Sequence, residues 1–109
     1  ETVASNAGHL LGSGIVPSER AGRVVRRLMA DDMWSGWGIR TLSSAHPAYN
    51  PVSYHTGSVC PHDCATLAEG FRPHALIVGA PRRTRRLFRA AAVAAFSAIP
   101  LFANCGVAE

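Results

Sequence analysis

The feature that most limits how this chain can fold is the segment 31–60, which keeps neither a helical nor a strand period. It holds Trp34, Trp37, Tyr49 and Tyr54 together with His46, His55, Pro47, Pro51 and the glycines Gly36, Gly38 and Gly57. An irregular stretch of this length in a small domain is either a linker or an ordered functional loop. Four large aromatics in it oppose the linker reading, because leaving them in water is unfavourable. The expectation is an ordered loop that faces a ligand, set against the alternative of a well-packed loop whose aromatics belong to the core.

Helix signals flank the loop. Ala21, Val24, Val25, Leu28 and Met29 recur at i, i+3, i+4, i+7 and i+8, which draws one apolar stripe and predicts a helix over about 17–30. Pro17 suits its first turn, and Glu19 suits the positive end of its dipole. Pro61 opens a second predicted helix over about 61–71, with Ser58 as candidate cap and Leu67, Ala68 and Phe71 as its apolar face. A third is expected over about 82–98, ended by Pro100. Residues 1–16 read as a loop with a short helix ending near Gly12. There is no strand signal and no internal repeat, so the fold class is mainly α: about three helices plus a long ordered loop.

At 109 residues the chain is one domain at most. Its longest apolar run, Ala90 to Ala103, is interrupted by Ser97 and Pro100, and no membrane-spanning helix is expected. The first residue is Glu1 and no signal-peptide pattern follows it, so a piece of a longer protein is expected. All 11 basic residues are arginine, and Arg82, Arg83, Arg85, Arg86 and Arg89 lie close together. Clustered arginine can neutralise phosphates. Only Phe88 interleaves this cluster, and it falls on the apolar stripe, so a solvated helix face is expected and no nucleic-acid partner. The odd number of cysteines (Cys60, Cys64 and Cys105) argues against a disulfide framework and for reduced thiols in a cytoplasm. Serine-hydrolase and phosphate-loop signatures are absent from the sequence.

The residue types inside the loop suggest a sugar. Trp and Tyr offer flat faces for C–H surfaces, and Arg40, Asn50, His55, His62 and Asp63 offer directional partners for hydroxyls. Five possible metal ligands also fall between His55 and Cys64. Zinc sites favour such residues, which makes a small zinc-binding module of Cys60, Cys64, His55 and His62 an alternative. The second ligand pair expected downstream is missing, and the primary expectation is no metal.

Four blocks, Asn6-Ala-Gly-His-Leu-Leu11, Ser35-Gly-Trp-Gly-Ile-Arg-Thr-Leu-Ser43, Tyr49-Asn-Pro51 and Ser53-Tyr-His-Thr-Gly-Ser-Val-Cys-Pro-His-Asp63, resemble in order and spacing the C-terminal part of bacterial glycogen-debranching enzymes of the amylo-α-1,6-glucosidase type. The resemblance covers about residues 5–72, and 73–109 diverge. It implies that the chain is the C-terminal part of an (α/α)6-barrel catalytic domain, completed by the rest of the barrel in the parent chain. The activity implied is cofactor-free hydrolysis of α-glucosidic bonds, with the α-1,6 branches of glycogen-like glucans as the expected substrate. Trp37 and Arg40 would stand at the barrel mouth, Tyr54 and His55 would line the sugar subsite, and His62 and Asp63 would open the next inner helix. Asp63 would accept a hydrogen bond from a sugar hydroxyl or simply cap the helix. For His9 a ligand role and plain loop packing are both open.

Glycosidases of this kind need a carboxylic acid and a carboxylate base, about 6.5–9.5 Å apart in inverting enzymes. The acid is expected upstream of Glu1. A family Leu-Pro-Glu-Leu-Phe block corresponds here to Ile99-Pro-Leu-Phe-Ala103, which lacks the glutamate. The family usually has tryptophan where Cys60 stands and a Tyr-Gly turn where Pro73-His74 stands. The chain alone is therefore expected to be inactive, and a catalytically inactive carbohydrate-binding remnant is the alternative.

Overall fold

The computed structural model describes residues 2–74 together with Arg82, Arg85, Arg86 and Arg89. A 3-10 turn, Ser5–Gly8, runs directly into α1 (His9–Gly12), and α2 (Ser18–Leu28) and α3 (Pro61–Phe71) follow. Among the described residues there is no extended strand, only the isolated antiparallel bridges Ala4–Leu42, Trp34–Ile39 and Arg40–Val59. The described part of the chain is thus of the helical class. The four described arginines of the 82–89 cluster are helical and exposed. The rest of the helix expected over 82–98, the Ile99–Ala103 block and Cys105 lie outside the described residues.

The apolar stripe of α2 does what its spacing predicts. Ala21, Val25, Leu28 and Met29 are buried, and Val24 packs partly against the same core. Pro17 lies one position before the expected first turn, as N-cap. Its carbonyl accepts from the Arg20 and Ala21 amides, an arrangement that uses an acceptor and leaves the missing N–H irrelevant. Glu19 and the pair Arg26 and Arg27 match the two ends of the helix dipole. Helix α3 spans the predicted bounds with Pro61 in its first turn, but Ser58 is not its cap. Cys60 holds that position, and the Ser58 hydroxyl donates to the Tyr54 carbonyl instead. Ser58 lies two residues before the cap position, where its oxygen is not placed to accept from the first-turn amides.

Phe71, Leu67 and Cys64 of α3 join Leu28, Met33, Trp34 and Ile39 in one apolar cluster. Helix α1 lies close against α3: a Cβ at Gly70 would sit 3.0 Å from the Gly12 nitrogen and 3.2 Å from the Leu11 Cβ. Glycine at 70 permits this approach at the C-terminal ends of the two helices, and the His9–Asp63 pair joins their N-terminal ends.

The 31–60 segment is ordered by turns in place of regular structure. The amides of Met33 and Trp34 donate to the Ala30 carbonyl, Arg40 N to Met33 O, and Thr41 N to Ser58 O. On the other side Ser5 N donates to Thr41 O and Ser43 N to Val3 O. Successive turns then carry the chain through His46, Tyr49, Asn50 and Ser53 back to Ser58. Backbone groups that no ladder satisfies are thereby paired locally.

Asp32 fastens the start of this loop to α2. Both its oxygens accept from the Arg27 guanidinium at 2.8 Å, and Oδ2 also accepts from the buried Ser43 hydroxyl. The Arg27 hydrogen bonds, aided by Ser43 against the opposing effect of burial, hold the Asp32 carboxyl at about 2, below its ordinary 3.8. A carboxyl depressed on folding stabilises the fold above its unfolded value and loses that contribution as pH falls through the folded value. Because Arg27 is partly in water, the expected contribution is about 1 kcal/mol. Asp32→Asn is expected to lower stability by that amount at pH 7. It should also flatten the stability loss of the parent chain between pH 3.8 and about 2, as read by urea unfolding across pH. Equal acid sensitivity in the two proteins would remove Asp32 from this role.

Candidate functional site

The loop presents the six candidate residues in three local arrangements. Trp37 stands in a tight turn closed by the Trp34–Ile39 bridge and by Ser35. The Ser35 hydroxyl donates to the Gly38 carbonyl and accepts from the Trp37 and Gly38 amides. The two tryptophans therefore part company. Trp34 is 9% exposed and belongs to the core, while Trp37 is 81% exposed. The physical reason is the turn itself: the side chain before it points into the apolar cluster, and the one in its tip has no core to enter.

Arg40 lies on the bridge to Val59, with its guanidinium 5.6 Å from the Tyr49 ring centroid. Its Nε is buried without a hydrogen-bond partner. Such a contact adds about 0.5–1 kcal/mol at an exposed site and more when desolvated, so Tyr49 fixes the attitude of the Arg40 head. Tyr49 is itself seated on Gly57, where a Cβ would lie 2.6 Å from the Tyr49 Cδ2. Tyr54 packs edge-on to the His55 ring, centroids 4.2 Å apart, and its hydroxyl lies 4.0 Å from the Cys60 sulfur. Tyr54 is about half exposed and His55 is exposed.

His62 and Asp63 occupy the first turn of α3, as expected. His62 is exposed, whereas Asp63 turns toward α1 and Oδ1 accepts from His9 Nε2. The His9 side chain is 42% exposed and that of Asp63 14%. The second Asp63 oxygen, Oδ2, is buried and without a hydrogen-bond partner. A buried carboxylate oxygen left unpaired is costly, and Oδ2 is an acceptor available to a donor. Asp63 sits in the first turn of α3, where a carboxylate suits the helix dipole, but no side-chain cap hydrogen bond forms there and its paired oxygen goes to His9.

The zinc alternative finds no geometric support. Among the described residues no three His, Cys, Asp or Glu side chains gather to hold a metal. Cys64 is buried and donates to the Ile39 carbonyl at 3.7 Å. Burial pushes its thiol up to about 11, against the lowering effect of the Ile39 contact and with smaller upward pushes from Asp63 and Cys60. A thiol held protonated is neither a ready ligand nor a nucleophile.

Three contributors escaped the sequence reading or were undervalued by it: Tyr49 as the support of Arg40, Asp32 as the loop clamp, and His9 as the partner of Asp63. Asp32 left one usable signal, an acidic pair directly after a helix whose last turn is Arg26-Arg27. The other two join residues far apart in the chain, and no local period encodes them.

No model of a known protein family matches the chain, and no curated protein matches it.

Proposed function

We propose that the Trp37–Asp63 segment is the sugar-gripping loop of a glycoside hydrolase acting on α-glucosidic bonds, with α-1,6 branches of glycogen-like glucans as its substrate. On this reading residues 1–109 belong to an (α/α)6 barrel and carry substrate binding, while no acid–base pair is assigned within the described residues. The observation that carries the proposal is Trp37, a large aromatic held in water by a turn whose hydrogen bonds all come from Ser35 and the backbone. An exposed indole on a constrained turn is a ready face for the C–H side of a sugar ring. Arg40 and Asp63 support it chemically. One brings an oriented cation and the other an unpaired carboxylate oxygen, which suit hydroxyls that need both donors and acceptors. The blocks quoted above from Asn6 to Asp63 supply the substrate class.

Isomaltotriose titrated into the chain, followed by saturation-transfer NMR, tests this. Binding is expected, with the Trp37 ring protons receiving the transfer. Trp37→Ala is expected to weaken it at least tenfold, about 1.4 kcal/mol, with an unchanged far-UV circular dichroism spectrum. Binding that survives Trp37→Ala unchanged, or no binding at all, defeats the reading.

A further inference from the structure

The imidazole of His9 is placed by two contacts between α1 and α3. Gly8, directly before it, lies so close to Leu67 and Leu28 that a Cβ would collide with both side chains. One turn before Leu67, on the same face of α3, stands Asp63, and its Oδ1 accepts from His9 Nε2. A carboxylate only accepts, so this bond keeps the proton on Nε2. In the neutral ring Nδ1 is then left as an acceptor. Among the described residues Nδ1 takes no hydrogen bond. The pair also has an inside and an outside. The His9 side chain is 42% exposed and that of Asp63 14%, with Oδ2 buried. A ligand arriving from solvent therefore meets the imidazole before the carboxylate.

The pair adjoins the loop. Cys64, next to Asp63, donates to the Ile39 carbonyl, and a Cβ on Gly38 would lie 2.8 Å from its sulfur. Trp37 and Arg40 flank Gly38 and Ile39 in the chain. A sugar hydroxyl bound there needs acceptors as well as donors. Arg40 can only donate. Asn50 Oδ1 is taken by the Val52 amide, and Asp63 Oδ1 by His9.

We propose that His9, oriented by Asp63, is a further binding residue of the sugar site and accepts the proton of a glucan hydroxyl at Nδ1, an assignment that rests on the sugar reading of the loop. Asp63 acts through it as a positioning residue, holding the ring by Nε2 and setting which nitrogen is bare. A plain staple between α1 and α3 would use Nε2 alone, whereas the binding role uses Nδ1, and the two nitrogens can be followed separately.

The test titrates isomaltotriose into the nitrogen-labelled chain at about pH 8, above the range in which free imidazole is charged, and follows the His9 ring by long-range proton–nitrogen correlation NMR. Nε2 is expected to carry the proton throughout. The Nδ1 resonance is expected to move upfield, the sign of an accepted hydrogen bond, as the sugar saturates the Trp37 ring. His9→Gln keeps an N–H donor for Asp63 but places no acceptor at Nδ1. It is expected to unfold at the same urea concentration as the parent and to bind isomaltotriose about fivefold more weakly, the loss of one neutral hydrogen bond. Three results overturn the assignment and leave the sugar reading standing: His9→Gln binding as tightly as the parent, an Nδ1 resonance that stays put while Trp37 responds, or a proton found on Nδ1 in place of Nε2. No binding of isomaltotriose by the parent overturns both. The ring resonances are read in the unaltered chain, so they decide the matter even if the Gln variant fails to fold.

Discussion

Replacing Phe71 by alanine is expected to cost about 3–5 kcal/mol, the range for removing a buried aromatic and leaving a cavity. Phe71 closes α3, is fully buried, and shares one apolar cluster with residues from every described helix and from the loop. Its ring therefore does more than seat α3. Met33, Trp34 and Ile39 lean on the same cluster, and they anchor the turn that carries Trp37. A small domain has about 5–15 kcal/mol of stability in all, so the loss consumes a large part of it. Urea unfolding followed by far-UV circular dichroism reads the effect directly. Phe71→Leu, which keeps most of the volume, is expected to lose about 1 kcal/mol. An alanine variant that unfolds within about 1 kcal/mol of the parent would show that the core is loosely packed around α3.

The second large effect is expected at Gly57. Its backbone has φ +150°, in the region that a side chain rarely adopts, and a Cβ there would also meet the Tyr49 ring and lie 3.0 Å from the Asn50 carbonyl oxygen. Backbone strain of this kind costs about 1–3 kcal/mol, and forcing atoms into occupied space about 1–3 more. The Gly57 amide donates to the Thr41 hydroxyl at 3.0 Å, so the loop cannot swing away without losing its tie to residue 41. Gly57→Ala is therefore expected to lower stability by about 2–6 kcal/mol and to push Tyr49 off Arg40. Tyr49→Ala separates the two consequences. It removes the clash in a Gly57→Ala background and should recover part of the stability while leaving Arg40 unsupported. Strict additivity of the two substitutions would mean that the ring and the glycine do not meet.

Both expectations bear on the sugar reading through the loop that carries it. The Ser35 turn depends on the core beneath it, and the Arg40 head depends on a ring that only glycine at 57 can accommodate. A loop made of turns has few backbone ladders to share a local defect, so single contacts in it weigh more than they would in a sheet.

The helices were legible because their information is local. The i, i+3, i+4 apolar spacing of α2 and the Pro61 start of α3 each lie within one element, and burial followed the stripe residue by residue. The order of the 31–60 segment was legible too, since its aromatics made disorder unfavourable whatever shape it took. Which tryptophan enters the core was not legible. Trp34 and Trp37 stand only three residues apart in a stretch without a period, and the position of the turn relative to the cluster of α2 and α3 decides between them. The pairing of His9 with Asp63, the support of Arg40 by Tyr49 and the Asp32 clamp are likewise decisions of the tertiary structure. Each joins groups from different elements, and such contacts exist only once Gly70 has let α1 settle on α3 and the apolar cluster has drawn the loop over both. Sequence periodicity determines which face of each helix turns inward. The packing of those faces against one another determines which polar groups are left to meet a ligand.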